Sequence, residues 1–180
     1  VEKAEVAMEA GAMAAEAMEM AVVDKVEEVM AGAELYKSSE CDVIVAIGGG
    51  SPMDCAKGIG IVATHGRSIL EFEGVDTITN PSPPLILIPT TAGTGSETTG
   101  VAIFDYVKMQ AKTGIAHRYL KPTLGLVDPD NTRSMPASVA AATGLDVLSH
   151  ALESYTALPY DQRSRPERPQ LRPAYQGSNP

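Results

Sequence analysis

The segment from Asp42 to Lys57 constrains the fold most, because an unbroken apolar run there meets three glycines and then a helix start. Asp42-Val43-Ile44-Val45-Ala46-Ile47 is a short apolar stretch of the kind that forms a central parallel strand with helices on both faces. Gly48-Gly49-Gly50 permits positive φ and lets a ligand approach the backbone without meeting a Cβ. Ser51 suits the N-cap, Pro52 the first helical position, and Asp54 completes an S-x-x-D box. The free N–H groups and the helix dipole at such a start make an anion site. Ligands of open α/β sheets bind at these strand ends. The exact fingerprints fail, since Met53 stands where G-x-G-x-x-G needs its last glycine and no G-K-[ST] follows. By itself the segment leaves two readings open: phosphate binding, or a capped turn without a ligand.

The chain on either side alternates in the same sense. A helix is predicted from about Lys25 to Lys37, on the stripe Val26, Val29, Met30, Ala33 and Tyr36, and another from Ser51 to about Thr64. After a loop rich in Gly, Asn and Pro, Leu85–Ile88 and Val101–Phe104 read as further buried strands, and Thr123–Val127 as a fourth. The expected fold class is α/β with a Rossmann-like parallel sheet. After Asp128 no strand is predicted: Met135-Pro136 opens an Ala-rich helical stretch and a second helix runs from about Gly144 to Ala157. The change divides the chain into an atypical segment 1–23, a partial nucleotide-binding α/β domain 24–134, and the start of a helical domain 135–180. In the first segment Glu2, Glu5, Glu9, Glu16 and Glu19 fall on one helical face, which predicts a helix weakened at Gly11, either solvated or poorly ordered, or else packed. The Arg- and Pro-rich tail carries no regular element.

A net charge of −9 and a pI near 4.8 remove any electrostatic reason to bind nucleic acid or an anionic membrane. No apolar run approaches the roughly 18 residues that span a bilayer. The expected partners are therefore small molecules, with assembly into a homo-oligomer left open. Cys41 and Cys55 are too few for a disulfide framework, read as small core hydrophobes, and fit a reducing compartment. The chain opens at Val1 without a recognisable signal, so the expected location is the cytoplasm, or the mitochondrial matrix in a eukaryote, with the natural start missing.

A second polar loop, Pro89-Thr90-Thr91-Ala92-Gly93-Thr94-Gly95-Ser96-Glu97-Thr98-Thr99-Gly100, again follows a buried strand. Hydroxyls and accessible N–H groups suit the ribose and amide edges of a nucleotide, although such loops are commonly plain surface. Two loops at the ends of neighbouring strands would converge on one crevice. Further on, Asp146 and His150 stand four apart on a helical pattern, so their side chains share a face. A carboxylate and an imidazole on adjacent turns are half of a site for Fe²⁺, Zn²⁺ or Mn²⁺, or else a local ion pair. His65 and His117 read as loop histidines, and Glu153 lies one turn beyond His150.

Together these three features resemble the iron-dependent alcohol dehydrogenases, over a span expected to run from about Asp24 to the end of the chain. The stretches from Val101 to Asp105, Lys121 to Pro129, His150 to Thr156 and Arg172 to Pro180 look most like the hydroxyacid–oxoacid transhydrogenase branch. The resemblance implies a nucleotide domain and a helical domain with the active site between them. It implies that Gly49, Gly50, Ser51, Asp54, Thr90, Thr91, Thr94, Ser96 and Lys112 contact NAD or NADP. Asp146 and His150 match two ligands of a divalent metal, Fe²⁺ foremost with Zn²⁺ as the other choice. It further implies hydride transfer between an alcohol or hydroxy acid and the cofactor, of the 4-hydroxybutanoate/2-oxoglutarate type in that branch, with no protein nucleophile.

The departures are that the family's two further histidine ligands find no match before Pro180, and that residues 1–23 look unrelated and lack the family's opening strands. The chain therefore reads as a piece of an enzyme. The rival readings are an inactive nucleotide-binding fragment and a metal- and NAD-dependent lyase of dehydroquinate-synthase-like fold.

Overall fold

The structure is a computed structural model that describes residues 2–6, 16–20, 25–106 and 111–157. Its elements are β1 (Glu2–Val6), β2 (Glu16–Met20), α1 (Lys25–Ser38), β3 (Ile44–Gly48), α2 (Gly50–His65), β4 (Gly74–Val75), β5 (Leu85–Pro89), β6 (Val101–Tyr106), β7 (Ala111–Ala116), β8 (Leu124–Gly125) and α3 (Ala137–Thr156). The Arg- and Pro-rich tail, including Arg172–Pro180, lies outside the described residues.

β3, β5 and β8 form a parallel sheet in that order. Ile44 pairs with Leu85 and Gly48 with Pro89, so the two strands end level with each other. Both strands bury alternate residues, Ile44, Ala46, Leu85 and Leu87 among them, while the intervening side chains are half-buried. This differs from the expected strand covered on both faces. Side chains alternate across a strand, so the residues that meet α2 are buried fully and the opposite set is only partly covered. Val29 and Ala33 of α1, Met53, Ile61 and Val62 of α2, and Phe72 and Phe104 complete the core.

Three expectations are corrected. Residues 2–6 and 16–20 form an antiparallel pair and not a helix, with β1 running beside β3. The regular glutamate spacing imitates a helical face, but β-structure depends on neighbouring strands more than on composition. The Val101 strand does not join the parallel sheet: β6 pairs antiparallel with β7, which pairs parallel with β4. Among the described residues beyond 134, one 20-residue helix, α3, replaces the expected two. Gly144 lies inside it, a position that weakens a helix by about 1 kcal/mol without breaking it. Cys55 is buried as expected, whereas Cys41 is only half-buried. Among the described residues no helix is long and apolar enough to cross a membrane.

Candidate functional site

The level ends of β3 and β5 set the glycine turn and the threonine loop side by side. The Thr90 N–H donates to the Gly48 carbonyl at 2.9 Å, carrying the ladder one step into both loops. Gly49, and not Ser51, caps α2, and it does so without a side-chain hydrogen bond. Ser51 lies within the first turn, so the expected capping box is absent. Gly50 is required by close approach: a Cβ there would stand 2.8 Å from the Thr94 Cγ2. The first turn of α2 thus faces the threonine loop across a cleft of about 1530 Å³.

Every residue expected at the site lines this cleft. Gly49, Gly50, Ser51 and Asp54 come from the start of α2, Thr90, Thr91, Thr94 and Ser96 from the loop, Lys112 from β7, and Asp146 and His150 from α3. Lys112 reaches in from an exposed position, 3.3 Å from Asp105. Pro136, Val139, Thr143, Asp146 and His150 recur at intervals of three and four along α3 and give it one cleft face. His150 Nε2 and Asp146 Oδ1 are 3.8 Å apart, and both side chains are about half-exposed. Glu153 is exposed and is not part of the cleft lining.

The donor chemistry suits a divalent metal in part. An imidazole and a carboxylate are ligands that Fe²⁺ and Zn²⁺ accept, and they fill two of the three or four protein positions such ions take. Among the described residues no group of three His, Cys, Asp or Glu side chains is arranged to hold a metal.

Several cleft residues have weaker signals in the sequence. Val101 and Ile103 line it, while Ala102 and Phe104, which alternate with them, are buried in the core, a period-two pattern that is readable once the strand is assigned. Thr143 lies three residues before Asp146 and packs on Gly93, where a Cβ would stand 2.7 Å from the Thr143 Cβ. Lys57, just outside the lining, closes the glycine-turn segment in the sequence without a role of its own being read from it, and its side chain is fully buried. Its Nζ donates to Asp54 Oδ1 at 3.2 Å, Thr99 Oγ1 at 3.3 Å and the Val101 carbonyl at 2.6 Å. Burial pushes the Lys57 ammonium below the usual lysine range, and Asp54 and then Glu97 pull against that shift. Asp54 Oδ2 accepts from the Ile103 N–H at 3.0 Å, so both carboxylate oxygens are already engaged within the protein.

The model of the family described as iron-containing alcohol dehydrogenase matches residues 2–129. The chain belongs to that family. The match begins well before the expected Asp24 and includes both N-terminal strands, so residues 1–23 are not foreign to the family. Mouse (Mus musculus) mitochondrial hydroxyacid-oxoacid transhydrogenase is 54% identical over 154 residues, covering 82% of this chain and 33% of the relative. Among solved structures, a 1,3-propanediol oxidoreductase aligns with a TM-score of 0.69 at 40% identity, over 76% of this chain and 37% of that one. Sulfoacetaldehyde reductase from Bifidobacterium kashiwanohense, solved in complex with NAD⁺, aligns with a TM-score of 0.68 at 39% identity, over 72% and 35% of the two chains. The chain spans about a third of the length of the curated relatives it matches.

Proposed function

We propose that this chain supplies the dinucleotide-binding part and two of the metal ligands of an oxidoreductase that passes hydride between an alcohol or hydroxy acid and NAD(P). The observation that carries the reading is the convergence of the glycine turn, the threonine loop and the Asp146/His150 face on one cleft. The named relatives favour a hydroxyacid–oxoacid transhydrogenase. The family match disfavours a dehydroquinate-synthase-like lyase.

In this reading Gly49, Gly50 and Ser51 offer the backbone N–H groups and positive dipole end of α2 to the pyrophosphate. Thr90, Thr91, Thr94 and Ser96 offer hydroxyls to ribose and amide edges, and Lys112 brings a positive charge to the cleft mouth. Asp54 holds the wall through Ile103, its oxygens being committed to Lys57 and that N–H. Val101 and Ile103 present an apolar floor that excludes water from one side of a ring. Asp146 and His150 would hold two positions of Fe²⁺ or Zn²⁺, which would supply Lewis acidity to a substrate oxygen. A mitochondrial setting follows the named relatives.

The domain division goes with this reading: residues 24–134 bind the nucleotide, and 135–180 open a helical unit. The exposed apolar side chains Leu145, Leu148, Leu152 and Tyr155 on α3 support it, because a stripe of this kind ordinarily faces another element.

Fluorescence titration of the purified 180-residue chain with NADH tests the reading. We expect saturable binding, with negligible alcohol- or 4-hydroxybutanoate-dependent turnover, because two ligands leave a metal weakly held. Absence of NADH binding overturns the dinucleotide assignment, and robust turnover overturns the half-centre.

A further inference from the structure

Lys57 lies outside the cleft lining, yet its ammonium reaches three segments that build it. Thr99 closes the threonine loop, Val101 opens β6, and Asp54 belongs to the second turn of α2. Through Asp54 the network extends to the Ile103 N–H. An ammonium buried this completely is costly unless each hydrogen finds an acceptor, and the three acceptors here match its three N–H bonds. The network therefore has one satisfied arrangement, in which α2 and the start of β6 stand at a fixed separation. Core packing alone would hold these elements together through Met53, Phe104 and their neighbours, with no need for a buried charge.

We propose that Lys57 is a positioning residue for dinucleotide binding, which fixes the wall formed by Thr99, Val101 and Ile103 against the phosphate-facing start of α2. The inference rests on the dinucleotide reading given above. Removing the ammonium leaves the Asp54 carboxylate buried without its counter-charge and frees the Val101 carbonyl. The wall then shifts, although Lys57 itself never touches the ligand.

The test compares NADH affinity by fluorescence titration in the wild-type chain, Lys57→Met and the charge-free double variant Asp54→Asn/Lys57→Met, with thermal unfolding followed in parallel. The expected result is at least a tenfold weaker Kd for each variant that remains folded at the assay temperature. A residue that only supported stability would lower Tm and leave the Kd of the folded protein within twofold, which would overturn the proposal. Should both variants fail to fold, the wild-type chain labelled with ¹⁵N-lysine decides. Reciprocal coupling requires NADH to slow solvent exchange of the Lys57 ammonium hydrogens severalfold, and unchanged exchange overturns the proposal. Wild-type protein that binds no NADH refutes the dinucleotide reading itself, a result distinguishable from equal binding by wild type and variant.

Discussion

Gly93 sits where the threonine loop meets α3, and alanine at this position tests the seat between that loop and the helix. A Cβ there would stand 2.7 Å from the Thr143 Cβ and 3.2 Å from its Cα. Ordinary contact begins at 3.4 Å, so the loop and the helix must part by roughly 0.7 Å to admit the methyl group. Overpacking of this kind costs about 1–3 kcal/mol. Against it, alanine restricts the unfolded chain and returns about 0.4–1 kcal/mol. The expected net destabilisation is about 1–2 kcal/mol, read by urea unfolding with far-UV circular dichroism at constant m. A double-mutant cycle sharpens the test. Thr143→Ala gives no rescue, because alanine retains the Cβ that obstructs. Thr143→Gly removes that atom and recovers part of the loss, though the Cα remains close and glycine inside α3 costs about 1 kcal/mol. A Gly93→Ala midpoint at or above wild type refutes the seat.

His117 caps the turn after β7, where its Nδ1 accepts from the Tyr119 N–H at 3.0 Å and its Nε2 lies 3.6 Å from Asp76. Burial lowers its pKa below the ordinary 6.5; Asp76 pulls it up and Arg118 down. The unfolded chain therefore takes up this proton first, so stability falls as pH drops below about 6.5 and recovers above it. His117→Asn keeps an acceptor for the Tyr119 N–H and should flatten that part of a pH series of unfolding midpoints; an unchanged slope would assign it elsewhere. Asp146→Asn and His150→Ala, both at half-exposed positions, should leave stability within about 0.5 kcal/mol while abolishing the heat of a Zn²⁺ titration. Retained Zn²⁺ binding in both variants would remove the pair from the metal assignment.

The two loops were legible because each directly follows an apolar strand, and glycine or hydroxyl residues there admit few structural alternatives. Asp146 and His150 were legible because helical spacing alone puts them on one face. Lys112 carried no local signal and entered only through the resemblance. Its strand, Ala111–Ala116, buries Ile115 but has no apolar run, so the β6–β7 pairing is set by cross-strand contacts that a linear pattern does not carry. The N-terminal strands failed for the same reason. Lys57 was out of reach because its partners Thr99 and Val101 lie 42 and 44 residues away, and a lysine in a helical pattern ordinarily reads as solvated.

The cleft is a consequence of register more than of any single motif. Because Gly48 pairs with Pro89, the chain leaves both strands at the same height, and the loops that follow must share the space above the sheet. A one-residue slip would turn the alternate buried set of β5 toward the half-buried face and set the threonine loop off the glycine turn. The buried faces of β3 and β5 therefore enforce the geometry of the polar site through Ile44, Ala46, Leu85 and Leu87, none of which lines it. The same logic extends to α3. Thr143 rests on Gly93 of that loop, and Asp146 and His150 follow at three and seven residues, so the height of the loop also sets the height of the two metal-type donors. Core packing, loop position and donor placement form one chain of causes, in which the hydrophobic register comes first.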